Sequence, residues 1–199
     1  GLGEAIARAY AAEGAKVIVS DIDAEAARKV AASLQGASAV ACDVRVPAQV
    51  EALVAAATRQ HGRLDIMVAN AGVAMLSPLV ATSYEQWREV TSVNLDGVFL
   101  CIRYAAPALI AAGGGAIVTM ASVTAKAACP LIGSYAAGKA RGVSLTQTPA
   151  PQLRAPPEEV PAPVLAGVLR QVGAWSSPEK VLENLKRIGV GFSIRQADP

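Results

Sequence analysis

Aromatic side chains are scarce in this 199-residue chain, at 4%, so the core must be built from aliphatic side chains and alanine. There is a single histidine, His61, and there are three cysteines, Cys42, Cys101 and Cys129, with no Cys-x-x-Cys pair and no metal-ligand spacing. A zinc ribbon or finger is excluded on that ground, and no metal site is expected. The odd number of thiols points to reduced cysteines in a cytoplasmic protein rather than to a disulfide framework. Charge is thin as well: 18 Lys+Arg against 16 Asp+Glu leave a net of +2 with no basic cluster. Nucleic acid is therefore not an implied partner. No secretory leader pattern is visible. The most apolar long segment, 93–112, carries Asp96 and Arg103, which makes it a poor membrane span. What the chain does have is bulk, since 53% of its residues are hydrophobic, enough to bury the core of one domain.

The hydrophobic residues alternate between two periods. Residues 4–13 read as an alanine-rich helix stopped by Gly14, and 16–21 as a β-branched strand ending at Asp21. A helix over 23–34, with Asp23 as N-cap and Gly36 beyond its end, precedes a short buried strand at 37–42. Pro47 starts a helix that runs to His61, where a histidine beside Gly62 reads as a solvated helix end. The next strand, 64–69, ends in Asn70-Ala71-Gly72. Helices follow from Ser83 and over 94–112, and a fourth strand at 116–121 stops at Ser122. Strands of four to seven residues alternating with helices of ten to twenty predict an α/β fold with a parallel sheet covered on both faces. Ligands of such a sheet bind beyond the carboxyl ends of its strands. The polar residues Asp21, Asp43, Asn70 and Ser122 stand at those ends.

Beyond residue 148 the pattern changes. Six prolines fall within 149–163, which reads as a linker, followed by a helical C-terminal segment at 164–199 whose stretches 164–172 and 178–188 are amphipathic. A last short strand is expected at 190–194.

Gly1-Leu2-Gly3 opens the first helix, and Asp21 lies eighteen residues after Gly3. Glycines at a helix N-terminus let a pyrophosphate approach the backbone, and the helix dipole favours the anion. A strand-end carboxylate then accepts from ribose hydroxyls. Asp21 would repel a 2′-phosphate, and no arginine lies in 20–23, so NAD is expected rather than NADP. Asp43-Val44 could border an adenine or simply begin a helix. Asn70-Ala71-Gly72 could admit a ligand while the carboxamide stitches strands, or be a plain turn. Asn94, between Val93 and Leu95, needs buried partners; it is a structural hydrogen-bonder or part of a proton relay. Trp87 and Tyr84 read as packing residues. Tyr135 and Lys139, four apart, share one helix face, and a lysine held beside a tyrosine favours the phenolate. That suits a phenol exchanging protons near neutral pH.

Taken in order, Gly-Leu-Gly, Asp21, Asp43-Val44, Asn70-Ala71-Gly72, Asn94, Ser122 and Tyr135-x-x-x-Lys139 resemble the short-chain dehydrogenase/reductase family over residues 1–148. The resemblance implies a Rossmann-like, doubly wound parallel sheet and a NAD-dependent oxidoreductase interconverting a secondary alcohol and a ketone, 3-oxoacyl compounds among the candidates. It implies that Tyr135 is the general acid/base and that Lys139 tunes it while holding the nicotinamide ribose. Ser122 would hydrogen-bond the substrate oxygen, and Asn94 would anchor a relay water. A seam of the helix 94–112 and the Tyr135 helix implies a homodimer or homotetramer. Two features depart from the family: its first strand and Thr-Gly-x-x-x lead-in have no counterpart before Gly1, so the sheet is expected to lack that strand, and residues after 148 diverge. The competing expectation is a non-catalytic or truncated dinucleotide-binding protein of the same fold. Pocket residues Val73, Met75, Leu76, Val123, Cys129, Leu131 and Ile132 are apolar.

Overall fold

In a computed structural model, which describes residues 1–127 and 129–147, helices and strands alternate as the periodicity predicts. The expected linker, the C-terminal segment and the strand at 190–194 lie outside the described residues. The order is α1 Leu2–Ala12, β1 Ile18–Asp21, α2 Ala24–Ala32, β2 Ser38–Ala41, α3 Pro47–His61, β3 Ile66–Ala69, α4 Tyr84–Thr91, α5 Gly97–Ala111, β4 Ala116–Thr119 and α6 Gly133–Gln147.

Local chemistry sets most of these limits. The Asp23 carboxylate caps α2 by accepting from the Glu25 and Ala26 N–H groups, donors that a helix start otherwise leaves unpaired. Pro47 occupies the first turn of α3, and Gly62 ends it with φ at +78°, a conformation that costs glycine no Cβ clash. Ser83 and Gln86 form a reciprocal capping box at α4: the Gln86 N–H donates to Ser83 Oγ, and the Ser83 N–H to Gln86 Oε1.

The sheet is parallel but split. β1 pairs with β2 from Ile18 opposite Ser38 to Asp21 opposite Ala41, and β3 pairs with β4 from Ile66 opposite Ala116 to Ala69 opposite Thr119. Among the described residues no strand joins the two ladders. β1 thus has β2 as its one ladder partner among the described residues. The structure also corrects one reading, because β2 is half-buried or exposed along its length rather than buried: strands at the margin of a two-stranded ladder are covered on fewer sides. The core lies instead around β3, where Met67 and Ala69 meet Val50 and Val54 of α3 and Val98, Cys101, Ala105 and Leu109 of α5.

Three further expectations change. α4 and α5 are not separate helices but one rod, Tyr84–Ala111, joined through a π-helical turn over Ser92–Asp96, even though Asn94, Asp96 and Gly97 are residue types that favour a break. The rod is long and apolar enough to cross a bilayer by length and composition, yet Val90, Asn94, Val98, Cys101, Ala105 and Leu109 are buried within the fold. Tyr84 is exposed in its first turn rather than packed. His61 is half-buried rather than solvated. Its neighbour Gln60 bonds Ser38 Oγ at 2.7 Å, drawing the end of α3 onto β2.

Burial also divides the three thiols. It pushes the Cys42 thiol up, and the Cys101 thiol to about 11, whereas Cys129 is exposed. Because the thiolate is the reactive form, alkylation of the native protein at neutral pH should label Cys129 and spare the other two until denaturant is added. Timed labelling read by mass spectrometry checks this; fast modification at Cys42 or Cys101 would contradict the packing described.

Candidate active site

Within each ladder the two strands run parallel, and the expected polar residues follow their carboxyl ends. Asp21 is exposed at the end of β1 and accepts from the Asp23 N–H at 3.0 Å through Oδ1. Asp43 follows β2. Its two oxygens bind the Arg45 guanidinium at 2.6–3.0 Å, and that pairing holds its carboxyl below the usual carboxylate range. A base amine reaching Asp43 would have to share it with Arg45, a partner that the sequence reading did not weigh. Val44 lies against Gly97, where a Cβ would come within 2.7 Å of Val44 Cγ2.

At the end of β3 the backbone turns through Asn70, Ala71 and Gly72 into a loop. Asn94, fully buried on the π-helical turn, grips that loop at Val73: Oδ1 accepts from the Val73 N–H, and Nδ2 donates to the Val73 carbonyl, each at 2.8 Å. Of the two readings of Asn94, the structural one is seen directly. Both halves of its carboxamide hold backbone. Any relay water bound to this side chain would have to use its second Nδ2 proton or the remaining acceptor capacity of Oδ1.

Lys139 of α6 is 5% exposed. Its Nζ donates to the Met120 carbonyl at 2.8 Å and stands 5.7 Å from the centroid of the Tyr135 ring. Burial pushes the Lys139 pKa down. Gly72 makes room for this arrangement, because a Cβ there would sit 3.2 Å from Lys139 Nζ and 3.3 Å from Asn94 Oδ1. Gly138 does the same on the other side, where a Cβ would lie 3.0 Å from Asn94 Cβ. Lys139, Tyr135, Asn94 and Gly72 thus form one cluster. Ser122, just past β4, caps a 3₁₀ turn at Val123–Ala125 that packs on α6. The Thr119 and Thr146 hydroxyls, 2.7 Å apart, fasten α6 to the end of β4.

Of the apolar residues expected at the pocket, Leu76 and Val123 are 76% and 79% exposed, and Val73 and Leu131 are also exposed. One link here was not legible in sequence. The Ser77 N–H donates to the Leu131 carbonyl at 2.7 Å, tying the loop after β3 to the loop before α6, and Leu131 holds φ at +67°. A left-handed leucine is uncommon, and such conformations collect at functional sites. The Pro-Leu-Ile context carried no signal for it. Gly138, directly before Lys139, was the readable sign of close packing.

The residues also fit a dinucleotide. Gly1 and Leu2-Gly3 begin α1, and Gly3 passes so close to β3 that a Cβ would stand 2.7 Å from Asn70 Nδ2. Helices alternating with parallel strands that end in polar residues, and a buried lysine on the helix after β4, define a Rossmann-like protein. The sequence profile described as short chain dehydrogenase matches residues 1–157. The chain belongs to the short-chain dehydrogenase family. It is 41% identical over 143 residues to a D-threitol dehydrogenase of Mycolicibacterium smegmatis, covering 70% of this chain and 55% of that protein. To a sorbitol dehydrogenase of Cereibacter sphaeroides it is 39% identical over 150 residues, covering 74% and 59%. The crystal structure of a short-chain type dehydrogenase/reductase from Mycobacterium marinum superposes with a TM-score of 0.73 at 33% identity, covering 77% of this chain and 65% of that one. The chain thus spans less than two thirds of the length of each of these relatives.

Proposed function

We propose that the protein is a NAD-dependent oxidoreductase that interconverts a secondary alcohol and a ketone. The observation that carries this reading is the buried Lys139 ammonium, fixed to the Met120 carbonyl beside the Tyr135 ring at the carboxyl ends of the strands. A buried cation is costly to keep without a use. Bound NAD supplies the hydride acceptor, and NADH the donor; the protein supplies position and electrostatics. Tyr135 takes the proton of the alcohol in oxidation and returns it to the carbonyl oxygen in reduction. Lys139 presents its charge to Tyr135 and to the nicotinamide ribose. Ser122 donates to the substrate oxygen, where negative charge grows in the transition state. Asn94 keeps the loop at Val73 from collapsing onto Lys139. Gly1, Leu2 and Gly3 would face the pyrophosphate, Asp21 the adenosine ribose, Asp43 and Val44 the adenine, and Asn70, Ala71 and Gly72 the inner cofactor. We place such an enzyme in the cytoplasm as a homodimer or homotetramer.

The polyol names of the relatives make vicinal diols the first alcohols to assay, with simple ketones and 3-oxoacyl compounds next, since Val73, Leu76, Val123 and Leu131 offer exposed apolar surface. The test is formation of reduced cofactor from NAD with this panel. Cofactor binding without turnover of any member would favour the second reading, a non-catalytic dinucleotide-binding protein, for which the split sheet speaks. The cofactor choice has its own test. Asp21→Ala should weaken NAD by roughly 10- to 100-fold, the worth of a hydrogen bond to a charged group, and improve binding of NADP. Calorimetric titration with both cofactors reads it; unchanged affinities would remove Asp21 from the ribose site.

A further inference from the structure

The Ser122 hydroxyl is engaged in a way that the family resemblance does not call for. Its Oγ accepts twice from one residue: from the Thr124 N–H at 3.3 Å and from the Thr124 hydroxyl at 2.9 Å. A serine hydroxyl has two acceptor sites and one proton. With both acceptor sites turned toward Thr124, the only capacity left to Ser122 is donation, and no acceptor for its proton appears among the described residues. We propose that Thr124 is a positioning residue that fixes Ser122 as an obligate hydrogen-bond donor to the substrate oxygen. This rests on the reading of Ser122 given above.

The consequence is chemical. An unrestrained serine could accept the proton of a bound alcohol, drawing it away from Tyr135. With its acceptor sites filled, Ser122 can meet the substrate oxygen only with its own proton, so the substrate hydroxyl is left to donate to Tyr135 and the oxyanion finds a donor already aimed. A donor oriented before the reaction costs no reorganisation during it. The backbone half of the arrangement follows from the turn Ser122-Val123-Thr124 and survives any substitution at 124. The side-chain half needs a hydroxyl at that position. Thr124 is half-buried, and valine matches its shape, so Thr124→Val removes the hydroxyl with little change in packing.

Two readouts test the proposal. In the cofactor-free protein, the α–β proton couplings of Ser122 report whether its side chain holds one rotamer. They should average in Thr124→Val and stay fixed in Thr124→Ser; couplings unaltered in Thr124→Val would overturn the proposal. In turnover, Thr124→Val should lower kcat about 10-fold with the KM for NAD unchanged, less than the roughly 10²- to 10³-fold expected when the donor itself is removed in Ser122→Ala. Thr124→Ser should restore it. In the Ser122→Ala background Thr124→Val should cost nothing further, the mark of a residue acting through another. A full effect of Thr124→Val in that background, or none in the wild type, would sink the proposal while leaving the function of Ser122 standing. Wild-type turnover in Ser122→Ala would remove both.

Discussion

Replacing Tyr135 by phenylalanine is expected to lower kcat by on the order of 10²- to 10⁴-fold, the contribution typical of a positioned general acid/base. The fold and the affinity for NAD should be unchanged. Phenylalanine keeps the ring that packs beneath Lys139 and removes only the hydroxyl, so the Lys139 bond to the Met120 carbonyl has no reason to move. Steady-state kinetics, cofactor titration and a melting curve measured together separate the possibilities. A variant that turns over like the wild type would show that another group handles the proton. A variant that loses cofactor binding as well would show that the hydroxyl also holds the cofactor.

Asn94→Ala should destabilise the protein by about 1–3 kcal/mol. The estimate comes from two lost hydrogen bonds to the Val73 backbone, at about 0.5–1.5 kcal/mol each. Asn94 is fully buried, and it alone satisfies the Val73 N–H and carbonyl among the bonds described for that residue. Its loss would free the loop that begins at Gly72, which lies close against Lys139 Nζ. Urea denaturation gives the stability change, and the cofactor KM gives the effect on the loop. Asn94→Asp is the sharper control: it keeps an acceptor for the Val73 N–H but sets a carboxylate oxygen against the Val73 carbonyl, so it too should be destabilised. Stability equal to wild type in both variants would mean that the π-helical turn holds its shape without the clamp.

Much of the local architecture could be read from residues. Asp23, Pro47 and Ser83 announced helix starts because each supplies, or does without, a hydrogen bond that a helix start leaves open. Asp21, Asp43, Asn70 and Ser122 announced strand ends because polar residues there follow directly on apolar runs. The continuous rod of α4 and α5 was missed, since two helices and one helix with a π-helical turn have nearly the same hydrophobic pattern. The exposure of Tyr84 was missed because an aromatic residue in a first turn can face either way.

The sequence by itself determined the α/β alternation, the parallel order of the strands, the family and the helical pairing of Tyr135 with Lys139, because each depends on spacing along the chain. Only the tertiary structure decided what those residues touch. Asn94 meets Val73 across 21 residues and Lys139 meets Met120 across 19, in both cases through backbone atoms that every residue carries and that no pattern marks. The same holds for the split between the two ladders, which depends on which strands find neighbours in space.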